Sequence, residues 1–146
     1  MATSTTIPAV SAAIVAAVAA AAPGLQVTDG RPQDSMLMRE SVWVGDVTGT
    51  STIPVMKAGR KIREERYQVE VWHWIAKPRG TLAEVRARAI ALWNLSASAL
   101  ADDPRLGALD GVQWATEGDF ELRSDFAAEG PWAALRSTVS VVARLS

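Results

Sequence analysis

The sequence predicts an α+β domain, a mainly antiparallel sheet with two helices packed on it, in the order α-β-β-β-α-β-β. Three observations carry that prediction. Segments 7–22 and 82–102 repeat apolar residues at helical spacing. The stretches 62–76 and 135–145 alternate apolar and polar residues with the period of a strand. No repeat, low-complexity linker or composition shift divides the 146 residues, so 1–146 reads as a single domain. A chain of this length buries roughly 70% of the surface its unfolded form exposes, enough for a core without disulfides.

The first element is an Ala-rich helix over residues 7–22, IPAVSAAIVAAVAAAA. Thr6 stands at the cap, Ile7 and Pro8 suit the first turn, and Pro23-Gly24 stops the helix. Ile7, Val10, Ile14 and Val18 form one apolar stripe, and the alanines around it allow close approach of another backbone or subunit. The segment falls short of the roughly 20 residues that span a bilayer, and alanine is barely hydrophobic. No Lys or Arg precedes Arg31, so a secretory signal is not expected either.

Leu25 to Thr28 form a short strand that ends in the turn Asp29-Gly30-Arg31-Pro32. A second strand runs from about Arg39 to Asp46. Residues 47–61 (VTGTSTIPVMKAGRK) read as a long Gly/Thr/Pro-containing loop, expected to be poorly ordered in an isolated subunit and to order on assembly. The third strand, Ile62 to Ala76, places Tyr67, Val69, Val71, His73 and Ile75 on one face and Arg66, Gln68 and Glu70 on the other. Trp72 and Trp74 interrupt the polar face, so a helix or another chain is expected to cover them.

The second helix opens on the capping box Thr81-Leu-Ala-Glu84 and buries the stripe Leu82, Val85, Ala89, Leu92 and Ser96 before ending at Asp102-Asp103-Pro104. In the fourth strand Val112, Trp114, Phe120 and Leu122 alternate with Gln113, Glu117, Asp119, Glu121 and Arg123, with Gly118 as a bulge. In the fifth, Leu135, Val139, Val141, Ala143 and Leu145 alternate with polar residues. Burial of its large side chains is worth roughly 6–12 kcal/mol before entropy, which makes the C-terminal strand core.

The chemistry available is narrow. The chain has no cysteine, which excludes disulfides, thiol nucleophiles and Cys-ligated metal, and it has one histidine. The formal net charge of -1 disfavours a general polyanion binder. His73, between two tryptophans, reads as a packed or hydrogen-bonded strand histidine, because no convergent carboxylates accompany it. Glu117, Asp119 and Glu121 read as a solvated row along one strand face and not as a cation site. No phosphate loop, nucleophile elbow or H-E-x-x-H motif occurs. No catalytic, cofactor-binding or metal-binding residue is therefore expected, and the chain reads as a non-enzyme. The rival is a cone-shaped α+β enzyme or small-ligand domain with a pocket lined by His73 and a carboxylate such as Glu70 or Asp110. It is disfavoured because His73 and Glu70 are an odd number of residues apart on one strand.

Charge is distributed unevenly. Lys57, Arg60, Lys61, Arg63 and Arg66 cluster against Glu64 and Glu65, whereas residues 102–129 hold eight acidic residues against Arg105 and Arg123. Three readings stand: two solvated surfaces, complementary patches that meet between subunits, or a basic segment touching nucleic acid. The subunit-interface candidates are Lys57, Arg60, Lys61, Arg63, Trp72 and Trp74.

A leading helix, a short strand ending in Asp29-Gly30-Arg31-Pro32 and the stretch Glu40-Ser-Val-Trp-Val-Gly45 together resemble the opening of tail terminator proteins of long-tailed, siphovirus-type bacteriophages. The likeness continues through Arg63-Glu-Glu-Arg-Tyr67-Gln-Val-Glu-Val, one helix and Asp103-Pro104-Arg-Leu-Gly107, so that order and spacing from Ile7 to Leu145 carry it. The resemblance implies a structural protein without catalysis or cofactor. It would form a homo-hexameric ring that caps the tail tube, ends tube polymerisation and forms part of the head–tail joining interface. The implied partners are further copies of the chain, the tail tube protein and head–tail connector proteins. Membrane is not among them, and nucleic acid at most passes through the ring lumen. The implied location is the tail or neck of the virion, and the host cytoplasm during assembly. Another head–tail connector, of neck or stopper type, is the neighbouring alternative.

Overall fold

The computed structural model describes residues 4–57 and 60–145, with the backbone alone for 54–57, 60 and 61. The elements follow the expected order: α1 (Ile7–Ala21), β1 (Gln26–Asp29), a 3-10 turn (Asp34–Met36), β2 (Glu40–Lys57), β3 (Arg60–Ala76), α2 (Leu82–Asp102), β4 (Val112–Ala127) and β5 (Gly130–Leu145). They build one five-stranded sheet in the order β1-β2-β3-β5-β4. All neighbours are antiparallel except β1 and β2. The connection around the 3-10 turn returns the chain alongside β1, so Gln26 to Asp29 pair in parallel with Ser41 to Val44.

The period-two pattern of β3 decides which face is core. Tyr67, Val69, Val71, His73 and Ile75 are buried, as are Leu135, Val139, Val141, Ala143 and Leu145 of β5 beside them. α1 adds Val10, Ile14 and Val18, and α2 adds Val85, Ala89, Leu92 and Leu100, so both helices close the same face. The α2 cap forms as the sequence indicates, the Glu84 amide donating to Thr81 Oγ1 at 3.2 Å, while Lys77 pairs with the Glu84 carboxylate. Thr6 does not cap with its side chain. Its backbone is already helical, and its hydroxyl instead hydrogen-bonds the Tyr67 hydroxyl at 2.8 Å, tying α1 to β3.

Three expectations are corrected. Of the long loop at 47–61, residues 47–57 are the end of β2 and 60–61 the start of β3, while 58 and 59 lie outside the described residues: Val47 pairs with Val69, Thr50 with Arg66 and Lys57 with Arg60. Its Thr, Val and Ile content favours extended backbone, and its apparent loop residues are absorbed into the ladder. Gly49 lies so close to β3 that a Cβ would come within 2.3 Å of Tyr67 Cβ, and the register slips between Thr52 and Val55, across the missing amide hydrogen of Pro54. In β4, register shifts between Val112 and Trp114 and between Glu117 and Phe120 break the simple alternation. Trp114 and Phe120, on the apolar side of that alternation, are exposed, Phe120 with its ring 4.6 Å from that of Trp93 in α2, and Ala115 takes the buried place. The same second shift splits the acidic row. Glu117 turns toward α2, where Trp93 Nε1 lies 3.5 Å from its carboxylate, whereas Glu121 faces the opposite side against Arg136.

β5 lies between β3 and β4, and its Leu135 is fully buried. Leu135→Ala should cost about 2–5 kcal/mol by removing apolar contact and leaving a cavity. A urea titration showing a lower midpoint with an unchanged slope is the expected result.

Candidate interaction surface on the helix-free face

The face of the sheet away from the helices carries Trp72 and Trp74 of β3, as the parity of that strand requires. Trp43 of β2 stands opposite Trp72 in register, and the two rings stack with centroids 6.3 Å apart. Trp74 stacks on Trp132 of β5 at 5.5 Å. Gly45 makes room for this arrangement: a Cβ there would meet the Trp72 indole at 3.0 Å. The Arg31 guanidinium lies 6.0 Å from the centre of the Trp43 ring. Together these residues line an open cleft of about 610 Å³.

Ions rim the cleft. Glu70 accepts from Trp72 Nε1 at 3.3 Å and pairs with Arg136 at 3.2 Å. Arg136 also meets Glu121 at 3.2 Å, and Arg123 meets the same carboxylate. Those two arginines hold the Glu121 carboxyl below its usual range, Arg123 more strongly. Arg31 is paired with Asp34 at 2.8 Å. Both cations lining the cleft, Arg31 and Arg123, are thus engaged. Asp29 and Asp46 line it too, and among the described residues neither carboxylate has an ion-pair or hydrogen-bond partner.

The interface candidates separate into two places. Trp72 and Trp74 lie in the cleft. Arg63 sits at the far end of β3, its guanidinium 3.6 Å from Glu65. The backbones of Lys57, Arg60 and Lys61 continue that end of the hairpin, while their side chains lie outside the described residues. Arg66 pairs with Glu64 at 2.7 Å and Arg144 approaches the same group at 3.4 Å, so Glu64 is held below the ordinary carboxylate range. The acidic residues of 102–129 do not gather into one patch: Asp103 binds the Gly107 amide at 2.6 Å, Glu117 lies against α2 and Glu121 is on the other face. Trp43, Trp132, Asp29 and Asp46 were not among the candidates. The sequence signal for Trp43 was the one that marked Trp72, a large apolar residue between two core positions of one strand.

His73 is fully buried on the core face. Its Nδ1 lies 3.1 Å from the Leu135 carbonyl, which only accepts, so Nδ1 donates; Nε2, 2.9 Å from Ser96 Oγ, then accepts from the hydroxyl. Burial pulls its pKa down to about 4, against a smaller opposing effect of the Leu135 carbonyl. Glu70 faces the other side of the sheet, so a pocket shared by the two does not form. Among the described residues no group of three or more His, Asp or Glu could hold a metal ion, and no helix is long and apolar enough to cross a membrane.

No family model matches the chain, and no curated protein matches it. Among solved structures, a chain from the virion of a native gene transfer agent particle aligns with a TM-score of 0.52, covering 90% of this chain and 93% of that one at 17% identity. The fold is therefore shared nearly end to end with a chain of that virion.

The histidine gives a measurable pH dependence. Between its ordinary pKa of 6.5 and about 4, the unfolded chain binds a proton that the folded chain refuses. Stability should therefore fall as pH drops through that window, with a slope approaching 1.4 kcal/mol per pH unit, about one proton's worth. Urea titrations at pH 7 and pH 5 should show this loss, and His73→Gln, less stable at pH 7, should lose less on acidification.

Proposed function

We propose that this chain is a structural subunit of a phage-like virion, a tail-terminator-type protein. In this reading it assembles into a homo-hexameric ring that caps the tail tube, stops its polymerisation and contributes to the head–tail joining surface. The observation that carries the reading is the fold shared over 90% of the chain with a chain of a gene transfer agent virion. The order of short motifs in the sequence points the same way.

The surface is consistent with a protein that works by contact. Four tryptophans stand on a sheet face that no helix among the described residues covers. Large aromatic residues in a partly open cleft, rimmed by charge, are the usual anchors of protein interfaces. A closed ring also needs two different patches that complement each other, because each copy meets its neighbours through unlike surfaces. The tube protein and the head–tail connectors would then meet the two ends of the ring, and any nucleic acid would pass through its lumen.

Native mass spectrometry of the purified chain, alone and with its tube protein, tests this directly. A six-subunit species that binds tube ends and fixes tube length is expected. A ring that binds a head-side connector but leaves tube growth unchanged would move the protein to the neck, and a monomer under every condition would remove the reading.

A further inference from the structure

The β2–β3 hairpin runs past the rest of the sheet. β5 pairs with β3 only as far as Arg63, opposite Leu145, and β1 covers β2 only from Ser41 to Val44. Beyond those points, residues 55–57 and 60–62 pair with each other alone. A free two-stranded hairpin is at best marginally stable in water, so such a ribbon gains from packing on something else. Its composition says what that is. Ile53 is half exposed, and residues 47–63 hold Lys57, Arg60, Lys61 and Arg63 with no acidic residue.

At the other end of the same strands lies the tryptophan cleft. Its arginines are already paired, and Asp29 and Asp46 are left without partners among the described residues. Two unengaged carboxylates beside four indole rings suit a cationic group on an aliphatic stem, which gains both ion pairing and a π-face. The ribbon cannot reach the cleft of its own chain. Ile62 and Trp72 are ten residues apart on β3, roughly 33 Å along an extended strand.

We propose that the basic ribbon of one copy docks in the tryptophan cleft of the next, the positive charge that the sequence places at Lys57, Arg60 and Lys61 answering the carboxylates of Asp29 and Asp46. The contact joins unlike surfaces, so repeated docking gives a closed ring or an open filament. It deepens the ring reading above and rests on it for the closed form. It also replaces the acidic stretch 102–129, whose residues the fold scatters, as the partner of the basic segment.

Charge exchange tests the contact. Lys57→Glu with Arg60→Glu and Lys61→Glu, and separately Asp29→Lys with Asp46→Lys, should each convert the assembly to monomers in native mass spectra, with circular dichroism unchanged. The chain carrying both sets should recover the assembly. Should a reversed chain fail to fold, the milder Asp→Asn and Lys→Gln forms should lower the assembled fraction at physiological salt. Rings unaffected by either reversal would overturn the docking and leave the ring reading standing. Filaments, or rings of another size, that respond to both reversals would keep the docking and overturn the six-subunit reading. A wild-type chain that stays monomeric with and without tube protein would overturn both.

Discussion

The alternation along β3 is the constraint on which the rest of the structure depends. It is the middle strand of the sheet, hydrogen-bonded on both sides, so its register fixes which way every side chain of β2 and β5 points. One face has Tyr67, Val69, Val71, His73 and Ile75, and both helices are needed to bury it. Among the described residues no helix is left to cover the other face. A mixed sheet closed on one side alone usually shows polar residues to water on the other. Here that face shows indole rings, and a slip of one residue in β3 would exchange them with the core. The tryptophans and the core are therefore two readouts of one register.

The open face is kept soluble by how its polar groups are arranged. Trp43 is almost fully buried by its stacking on Trp72, and Trp72 directs its indole N–H to Glu70. From Glu70 a run of contacts continues through Arg136 and Glu121 to Arg123, crossing three strands. These pairs are partly exposed, and each is worth at most about 1 kcal/mol to stability. Their larger effect is on recognition. They consume the cations of the face and leave carboxylates at its β1–β2 corner, which gives an otherwise apolar cleft a preferred sign of partner. The buried polar pair on the other side works differently. His73 bridges Leu135 and Ser96, fastening β3 to β5 and to α2 through groups that remain uncharged.

Wherever one periodicity runs uninterrupted, the sequence was legible. α2, with its capping box and stripe, β3 with His73 on the core face, and β5 as a core strand all follow from spacing alone. What was hidden depends on single residues that change the count. The two register shifts in β4 move Trp114 and Glu117 away from the sides that strict alternation assigns them, whereas Phe120 keeps its side, against Trp93 of α2. In β2, Gly49 and Pro54 look like loop residues, but one is demanded by the close approach of Tyr67 and the other sits at a slip in the ladder. The parallel pairing of β1 was equally invisible, because it depends on how the connection through the 3-10 turn carries the chain back to the start of β1. Half of the tryptophan cluster was legible for the same reason as β3. Trp132 was not, because it reaches Trp74 diagonally across the ladder: Trp74 pairs with Ala134, and Trp132 with Ala76.

The ribbon and the cleft lie toward opposite ends of one hairpin, since β2 and β3 run from one to the other. The angle between them is therefore a property of the hairpin's twist and bends and is independent of the contact surfaces. Two register shifts lie on β2 between these ends, at Val44–Val47 and Thr52–Val55, and such shifts locally increase bending and twist. If copies join ribbon to cleft, the rotation from one to the next is set largely by those two shifts, whereas the charges and tryptophans set affinity and partner choice. A ring closes only when that rotation is a whole fraction of a turn. Subunit number would then be encoded in the backbone at Gly45 and Pro54, which lie within those two shifts. These are the residues whose backbone properties, and not their side chains, shape the hairpin.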